Sequence, residues 1–144
     1  MREILFRGQT RRKGEKVRMD GTPVESNWVY GGVLQGTGDH SIIYQTEPDI
    51  EKKVVYTDTI GQFTGLTDKN DTRIFEGDIC KAVIYGFTCE TGVVGEARYE
   101  DGTFEFTCEY GDFYIFCVND ENFEVIGNIY DNPELLREDG KRNG

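Results

Sequence analysis

The segment Thr103–Tyr110 sets the pattern of the chain: Phe104, Phe106, Cys108 and Tyr110 alternate with Glu105, Thr107 and Glu109. A strand turns successive side chains to opposite faces, so this alternation predicts a half-buried antiparallel strand. The same period runs through Asp78–Tyr85, with Cys80, Ala82 and Ile84 on one face, and Thr91–Tyr99, which holds Val93, Val94 and Ala97, is predicted as the next strand. Phe113–Val118 and Phe123–Tyr130 are predicted as the last strands, and Asp101-Gly102 and Gly111-Asp112 as the turns between them.

Earlier in the chain the pattern predicts strands over Glu3–Gln9, Trp28–Leu34, Ser41–Gln45 and Lys52–Thr57. Gly36–His40 reads as a turn, and Glu47-Pro48-Asp49 as a break between two short strands. Thr10–Asn27 is polar and interrupted by Gly14, Gly21 and Pro23, which predicts a long mobile hairpin loop. Asp68-Lys69-Asn70-Asp71 is a turn by composition, because Asn and Asp tolerate left-handed backbone and bond back to it. Asn132-Pro133-Glu134 reads as a helix start, with Asn capping, Pro at the first helical position and Glu facing the dipole. The chain is thus expected to be mainly β, with one short C-terminal helix over roughly Pro133–Glu138. The expected organisation is an N-terminal β part over 1–66, a second β part over 67–138 and a frayed tail over 139–144.

Composition sharpens this in two ways. Eight Tyr, nine Phe, one Trp and 18 Gly in 144 residues fit strands joined by tight turns in one small domain. The 27 Asp and Glu exceed the 16 Lys and Arg, for a net charge of −11, which repels nucleic acid and anionic membranes. The charge is uneven: residues 1–18 hold seven Lys or Arg and two Glu, net +5, which leaves −16 for the rest. No apolar run approaches the roughly 20 residues that span a bilayer. Glu3 and Arg7 interrupt the stretch where a signal peptide needs unbroken apolar character, so a cytoplasmic location is expected, with no membrane partner.

Three stretches carry a resemblance. The first is Met1 to Gly8 followed by Trp28-Val29-Tyr30-Gly31. The second is Ile60 to Asn70, with Gly65, Asp68 and Asn70, followed by Ile74-Phe75-Glu76-Gly77-Asp78-Ile79. The third is Phe123 to Leu136, with Gly127, Asn128, Asn132 and Pro133. In this order and spacing they resemble the YopX family of phage and prophage proteins. A longer Thr10–Asn27 loop, and Cys80 where Val is commoner, depart from the usual pattern. The resemblance implies a β-rich fold with a small SH3-like barrel, an origin in a mobile element inside a bacterial host, and self-association. It implies no established activity. Five closely spaced β segments between Asp78 and Tyr130 have the number and spacing to close into such a barrel, which removes sheet edges.

Candidate chemistry is sparse. Cys80/Cys89 and Cys108/Cys117 are spaced far wider than the two to four or so residues of a zinc knuckle. Cys80 and Cys108 fall on apolar strand faces, where a reduced thiol behaves as a small hydrophobe, so buried thiols without metal are expected and no cofactor is called for. His40, the single histidine, reads as a solvated turn residue. Glu76 and Asp78 flank Gly77: paired carboxylates suit acid–base work or a hard metal in a hydrolase. The structural alternative makes Gly77 a positive-φ turn and Asp78 an acceptor for backbone amides. The basic set Arg11, Arg12, Lys13, Lys16 and Arg18 has the charge to grip phosphates, or to lie solvated on a loop. The sequence therefore favours a non-enzymatic, homo-oligomeric interaction module with a host or phage protein as partner. Nucleic-acid binding through Arg11–Arg18 is the second reading, and a metal-dependent hydrolase the third. The acidic surface also permits mimicry of DNA toward a DNA-binding protein.

Overall fold

The computed structural model of the chain describes residues 4–12, 28–36, 38–84 and 92–136. It is mainly β, built from two antiparallel sheets. The chain divides into two compact units, Met1–Phe63 and Thr64–Gly144.

In the first unit β1 (Phe6–Gln9), β2 (Trp28–Leu34), β3 (His40–Gln45) and β4 (Glu51–Tyr56) form an antiparallel meander. A 3-10 turn, Thr57–Thr59, leads into β5 (Gly61–Thr67), whose first residues pair with β1. The order in this sheet is therefore β4-β3-β2-β1-β5. Alternate positions decide what is buried: Ser41, Ile43 and Val55 are enclosed, while the intervening Val54 and the facing Leu34 stay exposed. His40 is the first residue of β3, paired with Tyr56, and not a free turn residue. Polar groups tie the connections. The Gln9 amide donates to Thr59 Oγ1 at 2.9 Å, and Thr59 Oγ1 donates to the Tyr56 carbonyl at 2.6 Å. Each closes a backbone group that burial would otherwise leave without a partner.

In the second unit β5 pairs with β6 (Arg73–Phe75), and a five-stranded sheet follows. Its members are β7 (Asp78–Ala82), β8 (Val93–Glu100), β9 (Thr103–Cys108), β10 (Gly111–Tyr114) and β11 (Glu124–Asn128). Their order is β10-β9-β8-β7-β11, so the last strand returns across the meander to pair with the first. This sheet stands where the SH3-like barrel is expected; no pairing joins β10 to β11 among the described residues. The β8–β9 hairpin turns on Asp101 and Gly102, at φ 49 and 83, the left-handed pair that matches strand twist.

The alternation of Thr103–Cys108 produces the core. Phe104 and Phe106 are buried with Cys80, Ala82, Ile84, Val93, Ala97 and Phe123. Phe106 and Phe123 meet edge to face, with ring centroids 5.6 Å apart. Each fully buried aromatic of this kind contributes on the order of 2–3 kcal/mol.

Two predicted elements differ. Phe113–Val118 is not one strand: β10 ends at Tyr114 and a helical turn, α1 (Ile115–Val118), follows. Ile115 and Val118, three residues apart, both enter the core while Phe116 and Cys117 face out, a spacing only a helical turn satisfies. At the C-terminal end, residues 134–136 are helical as expected, and 137–144 lie outside the described residues. The Asn132 side chain does not cap that helix. Its Oδ1 accepts from the Asn128 amide at 3.2 Å. Among the described residues no helix is long and apolar enough to cross a membrane.

Candidate functional site

The root of the Thr10–Asn27 segment carries an arginine–aromatic cluster in the first unit. The β1–β2 register sets Arg7 opposite Tyr30 and Gln9 opposite Trp28. The Arg7 guanidinium lies 4.5 Å from the centroid of the Trp28 ring. Arg12 stacks on Tyr56 at 4.0 Å and pairs with Asp58 at 3.2 Å. The His40 ring sits 4.9 Å from that of Tyr56. A cleft of about 240 Å³ opens beside Trp28, Tyr30, Tyr44, Glu51 and Lys53. A guanidinium over a ring face is held by the ring quadrupole, so Arg12, though exposed, is held against Tyr56 and Asp58. Of the expected basic set, Arg11 and Arg12 are described, and Lys13, Lys16 and Arg18 lie outside the described residues.

The Glu76-Gly77-Asp78 turn joins β6 to β7 in the second unit. Gly77 has φ 95, a backbone conformation that side chains resist. Its amide donates to the Ala97 carbonyl at 2.8 Å, and its carbonyl accepts from the Ile129 amide at 2.9 Å. Asp78, 2% exposed, accepts from the Phe75 amide through Oδ2 at 2.8 Å. That carboxylate holds the turn. The charge near Glu76 comes instead from Glu96 on β8, which the sequence reading did not single out. Burial pushes the Glu96 carboxyl above the usual carboxylate range; Arg98 opposes this and the negative charge of Glu76 adds to it. The Arg98 Nε lies 3.7 Å from Glu96 Oε1. Glu96 is twenty positions along the chain from Glu76, and the β7–β8 pairing, with Ile79 opposite Glu96, together with the Gly77–Ala97 backbone bond brings the two segments together.

The remaining motif residues form two hydrogen-bonded hubs. Asp68, 7% exposed, accepts from the Asn70 and Thr72 amides through Oδ1, at 2.8 and 2.9 Å. Its Oδ2 accepts from the Val125 amide at 2.8 Å, which fastens the 68–72 turn to β11. Burial raises the Asp68 pKa; the amides of Val125, Thr72 and Asn70, with the Lys69 charge, outweigh it and hold the carboxyl below the usual range. Asn70 Nδ2 reaches Glu124 Oε2 at 3.5 Å, and Gly65 has φ 90. In the second hub Asn128 Oδ1 accepts from the Tyr130 and Asp131 amides at 3.0 and 2.9 Å. A Cβ on Gly127 would lie 2.6 Å from Asn132 Oδ1, so close packing requires glycine there. The Pro133 carbonyl accepts from the Leu136 amide at 3.2 Å.

The thiols divide by position. Cys80 is fully buried in the core, Cys108 is half-buried against it, and Cys117 is exposed on α1. Cys89 lies outside the described residues. Cys108 is thus less enclosed than its alternation predicts, since β9 ends there. Among the described residues no three His, Cys, Asp or Glu side chains group as a metal centre.

Comparison with known proteins follows this geometry. The family model described as YopX protein matches residues 14–137. The SPbeta prophage-derived uncharacterized protein YopX of Bacillus subtilis (strain 168) is 27% identical over 109 residues, covering 67% of this chain and 81% of that protein. Among solved structures, the crystal structure of protein EF1440 from Enterococcus faecalis is similar with a TM-score of 0.51 and 25% identity, over 94% of this chain and 99% of that one. The motif hubs around Asp68 and Asn128 lie inside the matched span, and the chain belongs to the YopX family of phage and prophage proteins.

Proposed function

We propose that this phage-type β protein is a non-enzymatic, self-associating interaction module inside the bacterial host. The observation that carries the reading is a row of apolar side chains across the first sheet. Leu34, Ile42 and Val54 are in register on β2, β3 and β4, with Leu34 52% and Val54 59% exposed. Ile50, Tyr110, Tyr114 and Phe116 add exposed apolar area. An exposed apolar row on a small acidic protein supports a protein partner, in the first place another copy of the chain. Light scattering on the purified chain is expected to give a multiple of 16.4 kDa at micromolar concentration. A single 16.4 kDa species over that range would overturn self-association.

The second reading, nucleic-acid binding through Arg11–Arg18, draws on the arginine–aromatic cluster, since aromatic faces beside cations suit single strands. Against it, the Arg12 charge is already engaged by Asp58. Fluorescence polarisation with single-stranded RNA and duplex DNA distinguishes the readings. Salt-sensitive binding that Arg12→Ala abolishes would favour the second. For a hydrolase using Glu76 and Asp78, the engagement of Asp78 with the Phe75 amide weighs against that pair.

A further inference from the structure

The described strands leave four sheet edges: β4, β6, β10 and β11. An edge strand presents unpaired backbone donors and acceptors, and proteins protect such edges by brevity, bulges or charge. Two of the four are protected by brevity or by a bulge. β6 is three residues long. β11 is interrupted by a register shift between Val125 and Gly127. The other two, β4 and β10, have regular register to their ends.

These two edges differ in charge. β4 carries the exposed Glu51, Lys52 and Lys53, and β10 carries the exposed Asp112, with Glu109 at the tip of its hairpin. On the face that Lys52 shares with Ile50 and Val54, like edges repel: β4 against β4 centred on Lys52 opposes two lysines, although Glu51 then meets Lys53 on the other face, and β10 against β10 centred on Asp112 opposes two carboxylates. Unlike edges attract. One antiparallel register sets Lys52 opposite Asp112 and Ile50 opposite Tyr114, and brings the hairpin tip with Tyr110 beside Val54. Ile50 is 75%, Val54 59%, Tyr114 55% and Tyr110 41% exposed, so this register covers four exposed large apolar side chains at once. Alternate residues of a strand share a face, so the apolar pairs at the two ends of this register lie on the same side as the ion pair between them.

We infer that the chain assembles head to tail, with edge β4 of one copy pairing antiparallel with edge β10 of the next in the register Lys52–Asp112. This inference rests on the self-association proposed above and names its surface. Each copy offers one edge of each kind, so the contact is heterologous and repeats until the assembly closes.

The test uses charge reversal in the full chain, read by light scattering and analytical ultracentrifugation, with circular dichroism confirming the fold. Lys52→Asp and Asp112→Lys should each weaken association roughly tenfold, since each turns an attractive cross-strand pair into a repulsive one. The double variant, with the pair inverted, should recover the parental mass. Mixing the two single variants should also restore association, because each then meets an edge of opposite charge. A parent that is monomeric at all concentrations would sink the self-association reading itself. A parental oligomer whose mass neither single reversal changes would overturn this register alone, and so would single reversals that dissociate but are rescued neither by inversion nor by mixing.

Discussion

Asp68→Asn probes a side chain of the second unit that ties a turn to a distant strand. The parent carboxylate accepts three backbone amides, from Asn70 and Thr72 on Oδ1 and from Val125 on Oδ2. The amide of Asn is nearly the same size but has one acceptor oxygen. If that oxygen keeps Asn70 and Thr72, an NH₂ group faces the Val125 amide, donor against donor. Stranding that buried donor costs about 1–3 kcal/mol. The two surviving bonds also lose charge assistance, about 1 kcal/mol together. The total is about 3 kcal/mol, which for a chain of this length lowers the melting temperature by roughly 10 °C. Differential scanning calorimetry of both proteins at neutral pH measures it, with the exposed Asp71→Asn as a control expected to shift by under about 0.5 kcal/mol. The pH dependence supplies a second check. A carboxyl whose folded pKa is lowered stabilises fully above its unfolded pKa, and the contribution is lost as pH falls through the folded value. The parent's advantage over Asp68→Asn should therefore shrink on acidification below about pH 4. A variant that melts within about 2 °C of the parent at neutral pH would refute the view that this carboxylate fastens the turn to β11.

Three further outcomes are expected. Glu96 has a raised folded pKa, so its contribution is fully present below the unfolded value and lost as pH rises through the folded one; Glu96→Gln should raise the melting temperature at neutral pH and change it little near about pH 4. Gly77→Ala forces a side chain into φ 95 and should cost about 2 kcal/mol in urea unfolding, with an unchanged m-value. Arg12→Ala removes the Tyr56 stack and the Asp58 pair and should cost about 1 kcal/mol in thermal melting, whereas a solvated loop arginine would cost almost nothing.

Much of the local structure was legible in the residues themselves. Phe104 and Phe106 alternating with Glu105 and Thr107 specify a strand with one apolar face, because only period two buries both rings and turns both polar partners to the other face. Asp101-Gly102, Asp68 to Asp71 and Gly77 mark turns through backbone preferences that operate within a few residues. The three stretches that resemble YopX proteins likewise lie open in the sequence, and the family match over residues 14–137 covers Trp28 to Gly31 and the second and third stretches.

What the tertiary structure alone decided is which distant segments meet. Phe113-Tyr114-Ile115-Phe116-Cys117-Val118 is composed of strand formers, yet the core accepts Ile115 and Val118 together and so winds the second half into a helical turn. The return of β11 onto β7, with Val125 facing Cys80, has no local signature, since the pairing is fixed by sheet register and the Asp68 bond across it. Arg12 reads as loop charge until Tyr56 and Asp58 arrive beside it from another strand. Nothing local marks Glu96: burial takes water from its carboxyl, and the fold brings Glu76 close. Turn and strand preferences act through neighbouring dihedrals and so are written locally. Proximity, burial and the pKa of a carboxylate depend on what the rest of the chain places around it, and that environment exists only once the sheets have formed.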